Sequence, residues 1–238
     1  RHNSATSDAI TMASDGTCTA KITSVNGGSQ LSHRNIIVNG AMTIAQRGSS
    51  STSNGYHTVD RFQVNNSATD EAPTQAHVDV ASGTTPYSLG FRKALKVTNG
   101  NQTSGAGAAD YVQIVQKIEA QDMAGSGWNY TSSSSNITLS FWVKSSVAQT
   151  MYARLNAEDA SRAFSFAFSA TTSWTKITKT IAGNSNLAFN NDTGVGIALY
   201  FIPFYGTNYT TSDHTNDAWI ADSSSNQVTD MTTTWYTT

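Results

Sequence analysis

From residue 74 onward the chain is written in short runs whose apolar residues recur at every second position, and that period restricts its fold more than any other feature. Ile137, Leu139, Phe141 and Val143 alternate with Thr138, Ser140, Trp142 and Lys144. Phe164, Phe166 and Phe168 alternate with Ser165 and Ala167, and Ala76, Val78 and Val80 alternate with Gln75, His77 and Asp79. Successive side chains of an extended strand point to opposite faces, so each run predicts a strand with one face inward. The run Val195 to Phe204 is apolar on both faces, which predicts a central strand covered on each side. Between the runs lie Asn99-Gly100, Gly125-Ser126-Gly127, Ser132 to Asn136, Gly183-Asn184 and Asn190 to Gly194. Gly and Asn tolerate positive φ, so these clusters are turn signals. The best helical stretch is Ile118 to Ala124, and Trp235-Tyr236-Thr237-Thr238 reads as the start of a strand. Many short strands with regular turns predict an all-β chain, a jelly-roll β-sandwich.

Residues 1–34 read differently. Asp15-Gly16 lies between Ile10-Thr11-Met12 and Cys18-Thr19-Ala20-Lys21-Ile22, a hairpin signal. The segment is too short and too polar to bury a core of its own. It is expected to be an extended or hairpin shaft that packs against neighbouring subunits, joined through Asn26-Gly27-Gly28-Ser29 to a domain over 35–238. A chain that opens on Arg1 and closes on strand-like residues is expected to be a fragment or a processed product, with the jelly roll truncated at its C-terminal end.

The charge pattern excludes partners. Charged residues make up 13% of the 238, with 14 basic against 16 acidic side chains. Nucleic-acid binding and anionic-membrane binding both need clustered Lys and Arg, which are absent here. No apolar run approaches the ~20 residues that span a bilayer. The single Cys18 rules out an internal disulfide, leaving packing, a bound ion or oligomerisation to hold the fold. Polarity comes instead from Ser, Thr, Asn and Gln.

The stretch Asn35-Ile36-Ile37-Val38-Asn39-Gly40-Ala41-Met42-Thr43-Ile44-Ala45-Gln46-Arg47-Gly48, followed by Val59-Asp60-Arg61-Phe62, resembles a motif of phage and prophage tail-fibre proteins. In those proteins it opens a domain similar to jelly-roll carbohydrate-binding modules. Leu139-Ser140-Phe141-Trp142-Val143-Lys144-Ser145 resembles the central strand of such modules, and Trp174-Thr175-Lys176 resembles their strand entry. Asp8 to Thr11 and Asp15 to Ala20 look like fibre-shaft sequence, as in phages of cyanobacteria and marine bacteria. The resemblance implies a receptor-binding protein of a virion tail fibre: a homotrimer that joins other tail or fibre proteins and attaches to a host cell-surface glycan. It also implies that a structural calcium is compatible with the fold. Asn190 to Thr193 and Asp213 to Asp217 supply oxygen ligands, although Asn and Asp in turns are ordinarily turn chemistry.

Sugar recognition on a β-sandwich uses exposed aromatic faces that stack on pyranose rings, with amides and carboxylates around them. Aromatics in polar loops are therefore the candidate ligand-binding residues: Trp128, Tyr130, Tyr205, Tyr209 and Trp219, with Tyr56 beside them. Trp128-Asn129-Tyr130 is expected at a loop tip. The competing reading is that these rings cap the sandwich or pack between subunits. Arg47, Asp60 and Arg61 have a ligand-binding reading and a plainer one, a partly buried ion pair that fixes the first strand.

Catalytic signatures are missing. The five histidines show no HExxH spacing, no GxSxG elbow occurs, and no metal-ligand pattern is present. Glu119, Asp122, Glu158 and Asp159 leave paired-carboxylate glycoside hydrolysis open, because carboxylate separation is a three-dimensional property. The expectation is a non-enzyme without a catalytic cofactor. The alternatives are a purely structural virion protein (head fibre, capsid decoration or assembly joint) and a polysaccharide depolymerase.

Overall fold

The computed structural model describes residues 10–12, 14, 18–20 and 35–238. The strands, numbered in chain order, open with β1 (Ile10–Met12), β2 (Cys18–Ala20), β3 (Ser50–Ser51), β4 (Phe62–Ser67), β5 (Thr74–Asp79), β6 (Lys93–Thr98) and β7 (Tyr111–Glu119). They continue with β8 (Asn136–Val143), β9 (Gln149–Ala157), β10 (Arg162–Ala170), β11 (Thr175–Ala182), β12 (Val195–Tyr205) and β13 (Trp219–Ala221). Three short α-helical turns accompany them, α1 (Thr85–Ser88), α2 (Ala120–Ala124) and α3 (Thr234–Thr237), together with a 3-10 turn at Glu158–Ala160.

The chain is an all-β jelly-roll sandwich. Its large sheet has six antiparallel strands in the order β13-β10-β9-β12-β7-β4. The facing layer comes in two pieces, the two-stranded β8–β11 sheet, whose strands are separated in the chain by β9 and β10, and the β3-β5-β6 sheet. As its composition predicts, β12 lies inside the large sheet between β9 and β7. The core between the layers takes Met151, Ala153, Leu155 and Ala157 from β9, Phe164, Phe166 and Phe168 from β10, and Ile197 and Leu199 from β12. Ile137, Leu139, Phe141 and Val143 of β8 pack against it from the other side, the face their alternation predicts.

The register of β12 slips between Phe201 and Phe204. Pro203 sits at that irregularity, where the missing N–H does least harm to the ladder. The slip lets Phe201 and Phe204 both reach the inner core, while Tyr205 turns to the opposite face.

Four expectations are corrected. Ile118 and Glu119 end a strand, so the helix is only Ala120–Ala124. Ile118 pairs with Ile197 across the ladder, and that long-range pairing overrides local helical pattern. The Trp235 region is a helical turn rather than a strand; Trp235 and Tyr236 are buried, and Tyr236 stacks on Phe204 at 4.2 Å between ring centroids. In β5 the buried member is Gln75, at 1% exposure, not its apolar neighbours Ala76 and Val78. Its amide donates to the carbonyls of Ser53 (2.8 Å) and Gly55 (3.2 Å) and its Oε1 accepts from Thr58 Oγ1 (2.9 Å), which satisfies a buried polar group in full. Finally, β8 pairs with β11 alone and is no central strand.

Ile10–Met12 and Cys18–Ala20 pair antiparallel, with Thr11 opposite Thr19. The shaft reading of residues 1–34 otherwise lies outside the described residues.

Candidate functional site

The motif over 35–62 is a fastening of loops. Asn39, at φ 56°, donates through Nδ2 to the carbonyls of Ile44 and Asp60, each at 2.9 Å, and accepts from Ile44 N at 3.1 Å. Asp60 accepts from Gln46 N at 3.2 Å and lies 3.9 Å from Arg47, with 17% of its side chain exposed. Arg47 and Asp60 thus follow the plainer reading, whereas Arg61 takes no part in the pair.

The face of the large sheet turned away from the core is the unusual surface of the molecule. Registers across it form rows. Gln63 stands opposite Val115, Val115 opposite Tyr200, Tyr200 opposite Arg154, and Arg154 opposite Ser165. One row along, Lys117 faces Ala198 and Ala198 faces Asn156; at the other end Tyr111 faces Tyr205. The segment after β12 folds back over the β9–β10 half of this face. Val228 is fully buried there, in a second small core with Tyr152, Ile202 and Tyr205.

That flap is pinned by a polar chain. His214 Nε2 lies 2.5 Å from Ser165 Oγ, and its Nδ1 lies 2.5 Å from Asn226 Oδ1. Serine, histidine and asparagine in line can suggest a nucleophile. Here Ser165 is 2% exposed and His214 8% exposed, so no substrate atom reaches the hydroxyl. The chain anchors the flap.

On the uncovered β4–β7–β12 half, partly exposed aromatic and amide groups lie side by side: Tyr111, Gln113, Tyr200, Asn65 and Tyr209. Tyr111 meets Tyr205 and Tyr209 edge to face at 6.1 and 5.6 Å. The border with the covered half is charged. Arg154, 3% exposed, pairs with Asp222, and its guanidinium lies 5.7 Å from the Tyr200 ring. Asn156 Nδ2 donates to Glu158 at 3.3 Å and to Asp222 at 3.4 Å. Arg154 Nε and Asn156 Oδ1 are buried without a hydrogen-bond partner among the described residues, and such atoms are costly unless something satisfies them. Burial, followed by the charge on Glu158, raises the Tyr200 phenol above its ordinary pKa and keeps its hydroxyl protonated as a donor.

The structure distributes the aromatic candidates unevenly. Tyr205 and Tyr209 belong to this face; the Tyr205 ring is 3% exposed and its hydroxyl donates to Gln113. Trp128 lies in the core at 7% exposure, its Nε1 donating to the Ser135 carbonyl at 3.2 Å, and not at a loop tip. Tyr130 packs on Phe189 at 4.8 Å. Trp219 packs on Phe164 at 5.6 Å and donates to the Ala182 carbonyl at 2.9 Å. Tyr56 lies elsewhere, beneath Arg47 at 5.9 Å. Tyr111, Tyr200, Arg154, Asn156 and Asp222 escaped the sequence reading because they lie within strands or beside them, where a polar residue looks like an ordinary outward position. The one available signal was Arg154 and Asn156 within a run otherwise rich in apolar residues.

In the two loops weighed for calcium, acidic side chains have partners within the chain. Asp192 accepts from Gly194 N at 2.9 Å, Asp217 pairs with Lys179, and a hydrogen bond from Thr211 holds the Asp213 carboxyl below its ordinary range. Among the described residues no three His, Cys, Asp or Glu side chains converge.

No protein-family model matches the chain, and no curated protein matches it. Among solved structures it is similar to the family 11 carbohydrate-binding module from Clostridium thermocellum in complex with a β-1,3-1,4-mixed-linked tetrasaccharide. The identity is 11% and the TM-score 0.33, over 66% of this chain and 88% of that one. No residue's role is carried across from a likeness of that size.

Proposed function

We propose that this chain is a non-catalytic glycan-binding module of a virion fibre, which attaches to a host cell-surface saccharide through the uncovered face of its large sheet. The observation that supports this most is the grouping of the partly exposed Tyr111, Tyr200 and Tyr209 rings with the partly exposed Asn65 and Gln113 amides on one strand face. Pyranose rings offer C–H faces to aromatic side chains and hydroxyls to amides and charged groups, and this face supplies both. Binding is reversible contact and needs no cofactor.

The fibre setting rests on the resemblance of the 35–62 block and on the low charge of the chain. In that setting the protein sits on the virion as a homotrimer, bound to other tail or fibre proteins. Three weak sites engaged together would gain far more than one.

A second reading has its own observation. Glu158 and Asp222 each lie within 3.4 Å of the Asn156 amide nitrogen, a carboxylate pair at the groove border of the kind that cleaves glycosidic bonds. Asp222 is committed to Arg154, which favours binding over cleavage.

Glycan-array binding combined with light scattering tests the proposal. A trimer that binds a restricted set of glycans and loses them on Tyr200→Ala is the expected result. A stable monomer would overturn the fibre setting, and a fall in polysaccharide viscosity abolished by Glu158→Gln would replace binding with depolymerisation.

A further inference from the structure

Three cations meet at one end of the tyrosine-lined face. Arg47, Arg61 and Lys117 line a pocket of about 290 Å³ with Tyr56, Glu119 and Thr193. Arg47 is partly engaged by Asp60 at 3.9 Å, but neither Arg61 nor Lys117 pairs with a carboxylate among the described residues. Glu119 is turned to the Gln121 amide at 2.7 Å. Even with Asp60 and Glu119 set against the three cations, the pocket keeps an excess of positive charge, in a chain whose net charge is -2.

Arg61 holds φ at 73°, a left-handed conformation that Gly or Asn adopts with less strain. A bulky side chain kept against its backbone preference, and engaged in no ion pair, points to a task outside folding. The position of the pocket says which task. Lys117 projects from the outer face directly opposite Ala198, and Ala198 lies opposite Asn156. The pocket therefore adjoins the face on which Tyr200 and Arg154 lie.

We propose that this pocket receives the anionic substituent, carboxylate or sulfate, of an acidic sugar residue whose chain lies along the tyrosine face; this deepens the glycan-binding reading and rests on it. The guanidinium of Arg61 matches an oxyanion as a planar fork, and the Lys117 ammonium adds a point charge. The Tyr56 ring supplies an apolar wall. Glu119 and Asp60 reject a second anion and limit the site to one charged group.

The full chain is titrated calorimetrically with hyaluronan tetrasaccharide (carboxylate), a κ-carrageenan tetrasaccharide (sulfate) and cellotetraose (neutral). The expected result is that an acidic tetrasaccharide binds, that added salt weakens it, and that the exposed-site double variant Arg61→Gln/Lys117→Gln weakens it roughly tenfold or more. Whichever acidic sugar responds identifies the anionic group. An acidic ligand lost on Tyr200→Ala but unchanged in the double variant overturns the anion pocket and leaves the glycan reading standing. If none of the three sugars binds, sodium sulfate followed by the Arg61 side-chain NMR signal decides the pocket separately. A saturable shift lost on Lys117→Gln keeps the anion site without the saccharide, and an unmoved signal overturns it.

Discussion

The Tyr200 ring lies 5.7 Å from the guanidinium of Arg154, its direct cross-strand partner on the outer face of the large sheet. Arg154 is 3% exposed and is held by Asp222, which keeps 35% of its side chain in water. Removing the guanidinium leaves the Asp222 carboxylate without its cation, with the Asn156 amide as its remaining donor. Partial solvation of Asp222 trims the cost of breaking such a pair, so Arg154→Met is expected to lose about 2 kcal/mol of stability in urea titration. An unchanged midpoint would mean that the guanidinium is solvated and the outer face is looser than described.

Trp128 and Tyr200 separate folding from binding. Trp128 is a core residue at 7% exposure, and Trp128→Ala is expected to cost about 4 kcal/mol through lost burial and the cavity left behind. Tyr200→Ala removes a partly exposed ring at the margin of the second small core and should cost about 1 kcal/mol, well below Trp128→Ala, while glycan affinity falls roughly tenfold. Measuring both variants by urea titration and by calorimetry assigns each ring; the opposite pattern would move the binding surface to the Trp128 end of the sandwich.

Asn39 joins Ile44 and Asp60 by three hydrogen bonds while occupying φ 56°. Alanine supplies none of the bonds and fits the left-handed region poorly. Asn39→Ala should therefore destabilise by about 2 kcal/mol, and Asn39→Asp should recover part of that loss through its remaining acceptor. Equal stability of all three chains, followed by thermal unfolding, would show that the motif does not tie the loops together.

Tyr236 makes the fold sensitive to alkali. Burial, then its hydrogen bond to the Asp110 carboxylate at 3.0 Å, raises its phenol well above the ordinary tyrosine value. A raised pKa in the folded state means that its contribution is whole below pH ~10, where unfolded tyrosine also keeps its proton, and is lost as pH climbs beyond that. Tyr205, raised in the same direction by burial, adds to the effect. Tyr236→Phe should be less stable at neutral pH by about 1 kcal/mol, because the Asp110 and Gln102 oxygens lose a donor. Its stability should nevertheless fall less steeply between pH 9 and 12, as read by circular dichroism; parallel pH curves would deny Tyr236 this role.

Gly206 follows β12 where the chain turns over the outer face. A Cβ there would lie 2.5 Å from the Ala108 carbonyl oxygen and also meet the Gly107 carbonyl, both backbone atoms that cannot swing aside. Gly206→Ala is expected to cost about 2 kcal/mol or more and to disturb the Tyr205–Tyr209 pair that follows from it. A neutral thermal midpoint would mean that the two segments separate easily.

The division between local and tertiary information shows at particular residues. The alternation over 137–143 and 164–168 and the doubly apolar run from Val195 determined the strands, their inward faces and the place of β12, because side-chain period and burial are coupled along a strand. The same local pattern misplaced Trp128, whose Gly- and Ser-rich neighbours resemble a loop tip although the indole turns back into the core. It also read Trp235 as a strand, since a single buried helical turn carries no period. Neither Arg154 with Tyr200 nor Lys117 with Arg61 is adjacent in sequence; the first pair meets because β9 and β12 take one register, and the second because β4 and β7 end at one pocket. Composition and period are properties of the chain and determined an all-β sandwich with little charge. Which polar residues share a face depends on strand order, register and the fold-back of the 206–231 segment, and those are decided only when residues far apart in the chain compete for the same buried surface.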